Sequence, residues 1–304
     1  MTGPVPAPTG VIGHFNLLER LEPAGPGELF RARDTRLGRT VAIRLLPHDF
    51  LPDAAQRSAL IERARALISL SHPNVTTIFG ADEHQGRVYL AFEFLSGQSL
   101  RAEMGGLPMN VRRAVEVAVQ IADAVADAHA AGFVHGGLSP DSVIITAKGN
   151  AKIPAFEFAA RGGFEQQDGE HRLRDYDSPE EARGLAADER SDIYSVGAVL
   201  FEMLTTRRPL HRGAAAPSAA NPHVPRELDE IVLKAVAPNP DSRYQSAATY
   251  AAELRSMAAI LDVRGGAGDE EDTATESTTV SRVAVTAIVI LAAVVLAIWW
   301  FTRA

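Results

Sequence analysis

The order of hydrophobic patterns along the chain most constrains its fold. Up to about residue 95, short apolar stretches separated by turns are typical of β-strands, with one helical pattern over residues 54–70. From Asn110 onward the apolar residues recur at helical spacing, and the first of these helices ends at Gly132. Strands followed by helices, rather than alternating with them, predict an α+β fold: a small β-rich lobe and a larger helical lobe.

A second constraint is the run of nineteen uncharged residues from Val283 to Phe301. A helix of this length is about 28 Å long, close to the ~30 Å hydrocarbon core of a bilayer. Trp299 and Trp300 lie at one end, where aromatic rings favour the headgroup region. We therefore expect a single transmembrane helix rather than a buried core helix, followed by a short tail, residues 302–304.

Segments of low complexity flank the globular part. Residues 1–11 are rich in Pro and small residues and predict a disordered arm without the pattern of a signal peptide. Residues 263–282 predict an acidic, Ser/Thr-rich linker, and phosphorylation of its hydroxyls is the functional alternative to a plain tether. The globular domain is expected over residues 12–262, with lobes of about 12–95 and 96–262. We expect a single-pass protein of the inner (cytoplasmic) membrane, with this domain in the cytoplasm.

Composition excludes several classes of function. The formal net charge is −8, so the chain is not expected to bind nucleic acid. The absence of Cys excludes disulfides, thiolate metal sites and Cys nucleophiles. The sequence gives no reason to expect a resident metal ion.

The remaining signal lies in short segments that follow one another in a fixed order. They are "VAIR" (41–44), "LSHPNV" (70–75), "FVHGGLSP" (133–140), "AKIPAFEFA" (151–159), "YDSPEEARG" (176–184), "SDIYSVGAVLFEMLTTRRPL" (191–210) and "NPDSRYQSA" (239–247). In order and spacing they resemble the bacterial eukaryotic-like Ser/Thr protein kinases. The resemblance implies the bilobal protein-kinase-like fold, with a nucleotide cleft between the lobes.

The chain departs from this family at the positions that, by the resemblance, carry out catalysis. Phosphoryl transfer needs a base for the attacking hydroxyl, a cation on the phosphates and oxygen ligands for magnesium. The resemblance places Gly137 at the base, Ser139 at the loop Lys, and Ser142 and Ala155 at the two metal ligands. These losses predict a degenerate member of the family, a pseudokinase, with no cofactor and no phosphotransfer.

Two nearby carboxylates keep an alternative open. Asp141 lies close to the lost base, and Glu157 lies two residues after Ala155. We interpret both as charges that do not replace the missing groups. The alternative is a weakly active or unconventional Ser/Thr protein kinase that uses ATP with Arg44 and Glu157.

The resemblance also assigns five residues to a nucleotide cleft: Gly27, Ala42, Arg44, Glu93 and Leu95. Arg44 replaces the family's Lys, and its usual Glu partner is replaced by Arg63, with Glu62 one residue away. The glycine loop before Gly27 has lost its pattern. A non-catalytic nucleotide sensor that binds ATP without magnesium is therefore a further alternative.

Six residues match structural positions of the family. Leu67, His135 and Phe156 match an apolar stack between the lobes, Glu180 and Arg243 match an ion pair, and Asp192 matches the group that caps the catalytic-loop backbone. A folded domain without the reactive groups predicts a signalling scaffold or regulator. Its partner is expected to be a protein, such as an active kinase or an envelope-associated protein, and its oligomeric state stays open.

Overall fold

The computed structural model describes residues 10–21, 27–154, 176–211 and 213–264. The chain divides into two compact units, Met1–Met257 and Ala258–Ala304. The described part of the second unit is helical. The predicted membrane span lies outside the described residues, and none of the helices described is both long and apolar enough to cross a bilayer.

The described part of the first lobe contains six strands and one helix. They are β1 (Gly10–Ile12), β2 (Phe15–Leu21), β3 (Glu28–Asp34), β4 (Thr40–Leu45), α1 (Ala54–Leu67), β5 (Ile78–His84) and β6 (Arg87–Glu93). The strands form one antiparallel sheet in the order β1-β2-β3-β4-β6-β5. Alternating apolar residues from β2, β3 and β4 build a core that includes Phe15, Phe30 and Ile43.

Strand β1 differs from the sequence expectation, which placed its first two residues in the disordered arm. Gly10 pairs with Leu17, and Ile12 pairs with Phe15 across a tight turn. Gly13 in that turn has a φ of +58°, a conformation that glycine adopts at little cost. The turn thus allows the arm's last residues to extend the sheet.

The second lobe is mainly helical. Its elements are β7 (Gly97–Ser99), α2 (Leu100–Met104), α3 (Val111–Ala130), β8 (Ile144–Thr146), β9 (Ala151–Lys152), α4 (Glu189–Thr205), α5 (Pro217–Ala220) and α6 (Arg226–Ala235), followed by a helix over residues 247–264. Asn110 caps α3 by accepting a hydrogen bond from the Arg113 N–H, which confirms the predicted helix start. Helix α4 is buried along most of its length, as its all-round apolar sequence predicts.

Backbone hydrogen bonds join the two lobes, in addition to the chain segment that connects them. The backbone N–H of Thr76 donates to the carbonyl of Ile153 at 2.9 Å, and the N–H of Ile153 donates to the carbonyl of Asn74 at 2.8 Å. Next to these two hydrogen bonds, the Lys152 ammonium lies 2.8 Å from a Glu93 carboxylate oxygen. These bonds hold the small three-stranded sheet β7-β8-β9 against the end of β6.

Candidate functional site

A cleft lies between the two lobes, beside the connecting residues 94–96. Its described part has a volume of about 180 Å³, below the ~300–1,000 Å³ typical of sites for drug-sized ligands. Most of the lining residues are apolar, among them Leu21, Leu29, Ala42, Phe92, Leu95 and Ile144. The charged residues that also line it are Arg44, Glu93 and Asp141.

The structure brings together four of the five residues that the sequence assigned to a nucleotide cleft. Ala42, Arg44, Glu93 and Leu95 line it, whereas Gly27 is not among the lining residues. Gly27 has a φ of +86°, and a Cβ built on it would lie 2.3 Å from the carbonyl oxygen of Leu45. The local backbone therefore requires a glycine here, independently of any ligand.

The Arg44 side chain is buried, and helix α1 does not present a carboxylate in place of the family's Glu. Arg63, which stands at that position, has its guanidinium carbon 5.9 Å from the centre of the Phe133 ring. Glu62 is exposed, in keeping with its interpretation as a surface charge.

The catalytic-loop backbone is held by a buried carboxylate. Asp192, fully buried in the first turn of α4, accepts hydrogen bonds from the N–H groups of His135 and Gly136, both at 2.7 Å. Its Oδ2 also lies 2.8 Å from Nε2 of His129. Gly136 has a φ of +62°, so the loop turns in the left-handed region just where it is anchored.

After Gly136, two serines of the loop, Ser139 and Ser142, form hydrogen bonds with each other. The Ser139 N–H donates to the Ser142 hydroxyl at 2.9 Å, and that hydroxyl donates to the Ser139 carbonyl at 3.0 Å. The Ser142 N–H donates to the Ser139 hydroxyl at 3.3 Å. Both hydroxyls are thus engaged in the loop's own turn.

Asp141, the first carboxylate that follows the position of the lost base in the sequence, is hydrogen-bonded to an arginine. Arg101 of α2 donates to Asp141 Oδ2 at 3.3 Å and to Glu202 Oε1 at 2.6 Å. Tyr176 hydrogen-bonds to both Arg101 and Glu202, and burial, together with the bond to Glu202, raises the pKa of Tyr176 to about 12. Sequence reasoning missed Arg101, because its partners are 40 to 101 positions away in the chain.

The predicted structural residues that the structure describes are buried. Leu67 and His135 are both buried, and His135 Nε2 lies 3.2 Å from the carbonyl oxygen of Pro154. Arg243 donates to both carboxylate oxygens of Glu180, at 2.6 and 2.7 Å. Residues 155–157, which include the predicted metal position and Phe156, lie outside the described residues.

Two lobes that enclose a cleft at their connection, with a loop anchored by a buried aspartate beneath it, define a protein-kinase-like domain. A family model described as "Protein kinase domain" matches residues 23–257. The chain belongs to this family, and the two-lobed fold predicted from the sequence is confirmed.

Named relatives agree with this assignment. The chain is 31% identical over 263 residues to the serine/threonine-protein kinase PrkC of Bacillus subtilis, covering 81% of this chain and 41% of PrkC. It is 31% identical over 271 residues to PknB of Mycobacterium tuberculosis, covering 81% of this chain and 43% of PknB. It therefore spans about two fifths of the length of these relatives.

A solved structure with the same fold is the kinase domain of PknI from M. tuberculosis. It superposes with a TM-score of 0.69 at 19% identity, over 84% of this chain and 99% of the PknI chain. At this identity the likeness concerns the fold alone.

Proposed function

We propose that this chain is a pseudokinase: a kinase-family domain that acts as a signalling scaffold or regulator without phosphotransfer. The observation that carries the proposal is the closed turn between Ser139 and Ser142. The family's loop presents a cation and a metal ligand at these two positions. Here both hydroxyls are bonded within the loop, and a serine supplies neither the cation nor the amide oxygen that the family presents at these positions.

Two further features support the absence of transfer. Gly137 has no side chain that accepts a proton, and Asp141, the next carboxylate along the loop, is bonded to Arg101. Ala155 stands where the family binds magnesium. A positioned base alone contributes ~10²–10⁴-fold to the rate, so the combined loss takes the rate far below the ~1–100 s⁻¹ of active kinases.

The proposed role includes the rest of the chain. Residues 283–301 would anchor it in the cytoplasmic membrane, with the kinase-like domain in the cytoplasm and the linker 263–282 as a tether. The partner would be a protein, such as an active kinase or an envelope-associated protein. No nucleic acid is expected, because the net charge is −8.

A second candidate function is a non-catalytic nucleotide sensor, and it is favoured by the part of the cleft beside the connecting residues 94–96. Ala42 and Leu95 still line it with apolar surface beside the connecting segment. In this role the domain binds a ligand without magnesium and without turnover.

Phosphotransfer from radiolabelled ATP tests the proposal directly. The full-length chain is incubated with magnesium or manganese and a generic basic protein substrate, with PrkC as the positive control. We expect no incorporation above background. Magnesium-dependent labelling that is lost in Arg44→Ala would overturn the proposal and favour the weakly active kinase.

A further inference from the structure

We infer that the turn between β3 and β4, residues 34–39, is a contact surface for an anionic lipid bilayer. In this contact Leu37 enters the bilayer surface, while Arg33 and Arg36 lie against lipid phosphates. The inference rests on the membrane anchoring proposed above, and it identifies the part of the anchored domain that faces the bilayer.

The shape of the turn is fixed by a buried carboxylate. Asp34 is 1% exposed, and its Oδ1 accepts hydrogen bonds from the backbone N–H groups of Arg36 at 3.0 Å and Leu37 at 3.1 Å. The Gly38 N–H donates to the Asp34 carbonyl at 2.9 Å, and Gly38 has a φ of +65°. An aspartate that accepts hydrogen bonds from the residues just ahead of it holds a turn in one conformation. The tip of this turn is therefore presented at little further cost in conformational entropy.

The tip of the turn combines an apolar side chain with positive charge. Leu37 is 67% exposed. Arg33 and Arg36 are also exposed, and neither forms an ion pair with a carboxylate in the described part of the chain. Nη2 of Arg33 lies 3.7 Å from the position that a Cβ on Gly38 would take, so this guanidinium lies beside the tip.

The charge of the turn is opposite to that of the chain as a whole. Arg39 pairs with Asp34, with its Nε 3.4 Å from Oδ2. Arg33 and Arg36 remain as two exposed positive charges beside Leu37, although the formal net charge of the chain is −8. At physiological ionic strength the field of an exposed charge decays within about 8 Å, so a surface contact responds to the nearest charges rather than to the total. An anionic surface is therefore attracted at this turn.

The small size of this surface favours a bilayer over a folded protein as its partner. A stable protein interface takes about 800 Å² from each partner, and one leucine with two arginines supplies far less. A bilayer contact needs only a few groups, because an anchor at residues 283–301 would keep the domain close to the membrane. An apolar side chain flanked by arginines matches the boundary between acyl chains and anionic headgroups.

Site-specific fluorescence tests the contact, and the chain has no native cysteine that would compete for the label. The full-length variant Leu37→Cys carries an environment-sensitive dye and is reconstituted into phosphatidylcholine vesicles with or without phosphatidylglycerol. We expect stronger, blue-shifted emission only in the vesicles that contain phosphatidylglycerol. The matched control is Leu107→Cys, because Leu107 is 70% exposed in the large lobe and has no charged residue within three positions. Its label should give the same emission in both kinds of vesicle.

The double variant Arg33→Gln/Arg36→Gln tests the role of charge and retains the backbone N–H that bonds Asp34. Each arginine near an anionic surface contributes a factor of about five, so the ratio of bound to free turn should fall about 30-fold. An equal response with and without phosphatidylglycerol, or an unchanged ratio in the double variant, would overturn the inference. Emission that depends on protein concentration in detergent without lipid would also overturn it, and would place a second copy of the chain on the turn.

The outcomes separate this contact from the proposed function. A chain that floats with the vesicles while its Leu37→Cys label does not respond would overturn the contact alone. A chain that does not float with the vesicles would overturn the anchoring and the contact together. Neither result bears on phosphotransfer, which the assay with radiolabelled ATP measures independently.

Discussion

Replacing Arg243 with methionine should destabilise the kinase-like domain, because Glu180 then becomes a buried charge without its counter-ion. Arg243 is 2% exposed and Glu180 is 9% exposed. The guanidinium reaches both carboxylate oxygens, and its Nε also donates to the carbonyl of Ala237 at 2.7 Å. Removing one partner of such a pair typically costs about 3–5 kcal/mol, and we expect a loss in this range for Arg243→Met at neutral pH.

The pKa of Glu180 gives a second measure of the interaction between Glu180 and Arg243. Burial by itself raises this pKa and is the largest single effect, but the hydrogen bonds and positive charge of Arg243, together with further hydrogen bonds to the carboxylate, outweigh it and lower the pKa from 4.5 to about 2. A lowered carboxyl pKa stabilises the folded state above the unfolded pKa of 4.5, and this contribution disappears as the pH falls towards 2. A shift of this size corresponds to about 3 kcal/mol, similar to the expected effect of the substitution.

Urea unfolding of the full-length wild-type and Arg243→Met proteins at several pH values between 7 and 3 measures both effects. The free-energy gap between the proteins should narrow as the pH falls below 5. The double variant Glu180→Gln/Arg243→Met should recover part of the loss, because no buried charge remains. Arg112→Met, which removes an exposed partner of Glu116, is a matched control expected to cost less than about 1 kcal/mol. A loss below about 1 kcal/mol for Arg243→Met, or a gap independent of pH, would refute the reasoning.

Further substitutions test the cleft and the loop. Thr76→Val should raise the free energy of unfolding by about 1 kcal/mol, because the Thr76 hydroxyl is buried with no hydrogen-bond partner in the described part of the chain; lower stability by calorimetry would contradict this. Gly27→Ala should lower stability by about 1–3 kcal/mol, because its φ is +86° and its Cβ would meet Leu45; a variant with full stability and lost ligand binding would show a role in the cleft instead. Asp192→Asn should cost about 1.5–3 kcal/mol and speed amide hydrogen exchange at His135 and Gly136, and unchanged protection would show that the loop is held by other contacts.

The fold was predictable because its signals are local. The spacing of apolar residues marks strands and helices, and a polar residue such as Asn110 marks a helix start through its own side chain. Strand β1 was missed because its pairing depends on a turn at Gly13 rather than on its own composition. The role of Gly27 was missed for a similar reason, since the carbonyl of Leu45 that excludes a side chain comes from another strand.

By itself, the sequence determined which chemical groups exist in this protein. Gly137 and Ala155 carry no proton acceptor and no metal ligand, and no arrangement of the chain changes that, because these properties belong to the residue. Only the tertiary structure decided what the remaining polar groups do. Ser139 and Ser142 bond to each other, and Arg101 holds Asp141, because a hydrogen bond depends on distances of about 3 Å between atoms that folding brings together.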